Sequence, residues 1–269
     1  EYFGIQAGEI SYNYKDKSAS ATPPEEKPTV AVDASVFGSM YSGRIFFLIN
    51  ENSKSSNIDE VTITENGDVV LKADIAAKKA IEIQAQGDIK QSGTTFAQET
   101  VNIESEKTVE INGNTISGEA ANLQAGDTIT NNGQIISAGS ITTSAANINN
   151  FGKLIANTDI TINSFQLNNT AGEIGAAGSI TSSDINQIIN QSGTITAGSK
   201  IEFLDFANLD NNNGSIFSGG EINLKTNQNF EIQVEYYAQE KLTITAPEIT
   251  NKTDLNMQGE ISLKTDTGS

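Results

Sequence analysis

Apolar residues return every twenty positions along most of this chain, and no other feature limits its fold so tightly. One ladder runs Val61, Ile81, Val101, Ala121, Ile141, Ile160, Ile180, Ile201, Ile222, Leu242 and Ile261, with steps of 19 to 21 residues. A second lies two residues further on, from Ile63 and Ile83 to Leu263. A third lies six residues before each rung from the second on, beginning Ile75, Thr95 and Thr115 and reaching Leu255. A fourth, seven or eight residues after, runs from Val69 and Ile89 to Ile249. A fixed internal period of this size is the mark of a repeat architecture.

Each repeat thus carries three short apolar stations. Many of their residues are β-branched, and Gly, Asn, Ser and Thr lie between them, which predicts strands and tight bends rather than helices. Strands this short bury their inner faces only by coiling, each pairing with its equivalent one coil on, about 4.8 Å away. The predicted fold is all-β, a parallel β-helix (solenoid) with ~20-residue coils, about eleven rungs and a length on the order of 50 Å. A leucine-rich horseshoe has one strand per repeat and needs the spacing LxxLxLxxN, which is missing here. Only 36% of the 269 residues are hydrophobic, as a narrow core requires.

One phrase recurs within the period: TNNGQIISAGSI (130–141), then NNFGKLIANTDI, NNTAGEIGAAGSI, NQSGTITAGSKI and NNNGSIFSGGEI. Its glycines Gly133, Gly152, Gly172, Gly193 and Gly214 each stand eight residues before a rung. Asn131, Asn150, Asn169, Asn190 and Asn211, and Asn251 in a later coil, stand two residues past the third apolar station of the coil. That spacing predicts inward asparagines at a corner, with stacked amides donating to and accepting from their neighbours. Gln91, Ile111 and Ile232 occupy the same place in other coils. The glycines are expected to supply a backbone angle that other residues resist.

The chain has 16 Lys plus Arg against 34 Asp plus Glu, a net charge of −18, and its single arginine is Arg44. Nucleic-acid binding needs cationic contacts to phosphate, so that class is excluded, and an anionic membrane surface would repel the chain. No apolar run is long enough to span a bilayer. With no His and no Cys, no metal site, cofactor site or nucleophile–base pair emerges, and no catalytic residue is assigned. Asp205 and Asp210 in IEFLDFANLD (201–210) are the best carboxylate pair for glycoside hydrolysis, the third functional class considered, and are read as solvated acids in bends. FEIQVEYYAQEK (230–241) breaks the phrase. It places Tyr236 at a core station, and an exposed Tyr237 there is the candidate interaction patch.

Residues 1–57 do not follow the period and form an irregular β region ahead of the repeats at 58–269. EYFGIQAGEISYNY (1–14) reads as one or two strands, and SASATPPEEKP (18–28) as an exposed linker or long loop. The chain begins at Glu1, without a signal-peptide pattern, and stops just after another repeat, so it is expected to be a piece of a longer protein.

VDASVFGSMYSGRIFFL (32–48) resembles the V-D-x-S/A-x-x-G-x-M-Y-x-G-x-I segment of filamentous-haemagglutinin-type exoproteins, the passengers of bacterial two-partner secretion. The match rests on Val32, Asp33, Ser35, Gly38, Met40, Tyr41, Gly43 and Ile45. Where that family continues into a G-T-E-x-G-V-G-V-like run, this chain has INENSKSSNID. The resemblance implies a right-handed β-helix of haemagglutinin repeats on a secreted or surface filament of a Gram-negative bacterium. It implies export through an outer-membrane two-partner transporter, engaged by a secretion domain that precedes this segment. The implied role is an adhesin, a contact-dependent growth-inhibition stick or a cytolysin, with a host-cell or bacterial surface receptor as partner.

Overall fold

The computed structural model describes residues 60–265 apart from 184, 235 and 254–258, together with the backbone of five strands in the first 59 residues. Within each coil the period-two alternation of side chains sets which residues enter the core. The rung strand Thr100–Ser105 buries Val101, Ile103 and Ser105 and turns their neighbours outward. After a bend, the second-face strand Thr108–Ile111 buries Val109 and Ile111. A corner follows, and the third-face strand Asn114–Ser117 buries Thr115 and Ser117.

Equivalent strands of successive coils pair in parallel. Every step of the rung ladder is a register pair, from Val61↔Ile81 to Leu242↔Ile261. The third face keeps register from Ile75↔Thr95 to Ile216↔Tyr236. The second face does so from Val69↔Ile89 to Ile188↔Leu209. The chain is a right-handed parallel β-helix of about ten turns, the hand expected of crossovers between parallel strands. In two coils the bend after the rung vanishes, and Ser140–Asn150 and Ile160–Asn168 run through it as single strands. The core is one continuous column of buried Ile, Val, Leu and Ala along the axis.

Ahead of the repeats, Ile5–Ala7 pairs antiparallel with Gly43–Ile45, and Glu9–Asn13 with Ser18–Thr22. The start of the expected long loop is therefore a hairpin strand. Val30–Asp33 pairs in parallel with Asp68–Leu71 and extends the solenoid's sheet backward. Of the family-like segment, Val32, Asp33, Gly43 and Ile45 fall in these strands. Ser35, Gly38, Met40, Tyr41, the three prolines at 23, 24 and 28, and residues 49–59 lie outside the described residues.

Candidate functional site

Three local features of the rod could act on other molecules or explain why they cannot. The first is the asparagine corner. Asn131, Asn150, Asn169, Asn190 and Asn211 are 0–4% exposed. Each of the first four donates from Nδ2 to Oδ1 of the next, at 2.6–2.7 Å. Their amides also donate to the carbonyls of Lys153, Glu173, Thr194 and Ser215 one coil on. The row points one way and stops where Ile111 and Ile232 take the position. Its two end atoms, Asn131 Oδ1 and Asn211 Nδ2, are buried without a partner. Gln91 substitutes alone in an earlier coil, donating to the carbonyls of Gly93 and Asn114 and accepting from Thr115. Asn251 does not join the row: it is exposed, pairs in register with Ile232, and accepts the Thr253 N–H. Its coil has no amide beneath it to continue.

The glycines have a different reason from the expected one. None of Gly133, Gly152, Gly172, Gly193 and Gly214 has a left-handed φ. The left-handed residues are the ones just before three of them, Ala171, Ser192 and Asn213, with φ of 54–56°. What the glycines lack is room. A Cβ on Gly193 would overlap the Asn169 carbonyl oxygen and lie 2.5 Å from Asn190 Oδ1. The amide row fits under the corner because nothing projects from the glycine above it.

The second feature is an outward column on the third face, five residues before each rung. Phe96, Ile116, Ile136 and Ile155 stack there in register, and further along so do Phe217 and Tyr237. Phe96 is 38% exposed and the others are half-buried. Tyr237 does not stand free: its ring stacks on Phe217, with centroids 5.0 Å apart and planes 8° from parallel. Phe217 and the isoleucine column were not anticipated, although their twenty-residue recurrence was open to reading.

The third feature is a break in the second face. Asp205 is the extra residue of a β-bulge in the rung strand, with φ 59° and register shifting between Leu204 and Phe206. Phe206 pairs with Thr226 one coil on. Two residues then separate Phe206 from Leu209, but three separate Thr226 from Phe230. The strands Asn208–Asp210 and Phe230–Ile232 do not pair; the latter starts a separate two-stranded sheet with Ile249–Asn251. Between them opens a cleft of about 370 Å³. Asn208, Asp210, Asn212, Asn229, Glu231 and Gln233 give it polar walls, and Leu209, Phe230, Val234 and Tyr236 apolar ones. Phe230 packs edge-on against Phe206 at 5.9 Å.

The two acids singled out from the sequence have separate settings. Asp205 is exposed and 3.7 Å from Lys225 Nζ, and it does not line the cleft. Asp210 does, accepting from Gln191 Nε2 at 2.6 Å and from the Asn212 N–H at 3.1 Å. Glu231 is held by Lys252 at 2.6 Å, and that hydrogen bond lowers its pKa. Tyr236 is buried, and desolvation followed by the Asp210 charge pushes its phenol up. No group of three or more metal-ligating side chains occurs among the described residues, and no helix there is long and apolar enough to cross a membrane.

Comparison with protein-family models, with curated proteins and with solved structures returns no match to this chain.

Proposed function

We propose that this chain is a rod segment of a large bacterial filamentous adhesin, surface-exposed or secreted by the two-partner route, that mediates adhesion or holds other domains away from the cell. The observation that carries this reading is the unbroken register of the rungs over ten coil-to-coil steps. Such a stack transmits position along its axis and repeats its outward side chains at about 4.8 Å, which suits spacing and multivalent contact. The likeness of residues 32–45 to the exoprotein segment supports the bacterial setting. The Phe217–Tyr237 pair supplies an aromatic contact of the kind enriched at binding surfaces.

Labelled protein applied to epithelial cells and to Gram-negative bacteria tests this. Saturable binding to epithelial cells, weakened by Tyr237→Ala, is the expected result. Binding to bacteria alone would favour a growth-inhibition stalk, and binding to neither would reduce the rod to a spacer. Polysaccharide turnover by the purified protein would overturn the reading in favour of an enzyme.

A further inference from the structure

We propose that two copies of this chain pair antiparallel through the third faces of their coils, about a two-fold axis between Lys153 and Glu173. Charge singles out that face. The chain carries −18 overall, yet the seven third-face strands from Thr94–Ala97 to Ser215–Ser218 hold only two charged residues, Lys153 and Glu173. These two are register partners in adjacent coils and bind each other at 2.7 Å. The turns that lead into those strands are uncharged, and Glu99, Glu119 and Asp159 stand in the bends that follow three of them. Over the same coils the rung face presents Glu82, Glu104 and Glu202, and the second face Glu110 and Asp210. A chain of this charge repels its own copy, and the third face is where that repulsion is weakest.

The order of residues along the face then selects a second copy as its occupant. The outward column runs in register from Phe96 to Tyr237 over eight coils. A two-fold axis across the rod turns that column onto itself in reverse coil order. Placed between the coils of Lys153 and Glu173, it sets Lys153 of one copy opposite Glu173 of the other, twice. Two ion pairs become one group of alternating charge, which fixes register and orientation. A parallel pair instead sets Lys153 level with Lys153 and Glu173 level with Glu173. The antiparallel axis also sets Phe96 against Tyr237 and Ile116 against Phe217, so apolar groups cover one another at both ends. At the middle it sets Ile155 against Gly175. Ile155 already leans over that glycine within the chain, its Cδ1 3.1 Å from where a Cβ would stand, and the bare backbone leaves room for the isoleucine of the other copy. The face is self-complementary in charge and in bulk, as an isologous contact requires.

Seven steps of about 4.8 Å make the face about 34 Å long, and a four-residue strand with its flanking turns is roughly 20 Å wide. Two copies then bury on the order of 1,300 Å² in total, at the lower end of specific interfaces. An interface of that size gives a dimer in the micromolar range.

Tyr237 lies at the end of this face, so pairing competes with the receptor contact proposed above, but the dimer rests on the face alone and is measured without cells. The full chain is followed by sedimentation velocity and light scattering over a concentration series at near-physiological salt. The expected result is a concentration-dependent dimer and nothing larger. Ile136→Glu introduces a charge on the outward column. Lys153→Glu and Glu173→Lys, at positions 53% and 45% exposed, each set like charges together at the axis. Each of the three changes should weaken association about tenfold or more, with melting temperatures showing that the variants stay folded. The two single-reversal chains, mixed, should recover the dimer, because each supplies the charge that the other lacks. Both have lost the ion pair within the chain, so a purely structural role for Lys153 and Glu173 predicts no recovery. A chain that stays monomeric, association that survives all three changes, open-ended assembly, or a mixture that fails to recover would overturn the proposal.

Discussion

Buried hydroxyls in this core divide into those that bond and those that do not. Thr115 donates to Gln91, while Thr143, between Leu123 and Ile162 in the rung column, is 1% exposed with its hydroxyl unpartnered. An unsatisfied buried group costs on the order of 1–3 kcal/mol. Thr143→Val should therefore raise stability by about 1 kcal/mol in urea unfolding, and a loss of stability would show that the hydroxyl has a partner after all. Tyr236 is the residue where pH acts. Its folded pKa is raised by burial and by Asp210, so the stability of the neutral phenol is complete below the unfolded pKa of about 10. Above that pH the unfolded phenol ionises first and stability falls. Tyr236→Phe should flatten the decline in melting temperature above about pH 10 relative to the parent chain; an identical decline would place Tyr236 in water.

At the scale of the coil, the corner is one device made from two residues: an asparagine whose amide continues the row and a glycine that leaves it space. Gly193→Ala drives a methyl group into the Asn169 carbonyl and against the Asn190 amide, an overpacking that costs about 1–3 kcal/mol. The same change at Gly175, where a Cβ would meet only the tip of the Ile155 side chain at 3.1 Å, should cost much less. Equal losses in thermal unfolding would contradict the close-approach account. The ladders and the inward asparagines were legible because both are periodic and the pleat makes period decide facing. The reason for the glycines was not, because close approach involves a chain segment one coil away and spacing alone suggests only a turn. The cleft was hidden by a cancellation. From Ile201 to Leu209 and from Ile222 to Phe230 the count is eight in both coils, but one spends a residue on the Asp205 bulge and the other on a longer bend. Counting between stations sees two equal coils, while the backbone sees strands out of line. Tyr237 stands out in the sequence where the recurring phrase breaks, but its ring partner, Phe217, is a neighbour only through the register.

As a whole molecule the chain is a quasi-one-dimensional stack in which each coil contacts its neighbours. The departures from the repeat cluster along it: the aromatic pair, the end of the amide row and the cleft beside it all fall in the two coils between Ile201 and Leu242. The stack itself is open to direct measurement, because the sequence has no cysteine. Thr62, Asn122, Thr181 and Thr243 occupy one outward rung column. Thr62→Cys is combined in turn with Asn122→Cys, Thr181→Cys and Thr243→Cys, spin-labelled, and measured by electron double resonance. Three, six and nine coil steps predict label separations that rise linearly, near 14, 29 and about 43 Å at 4.8 Å per coil. Distances that level off or fail to follow coil number would contradict a β-helical rod.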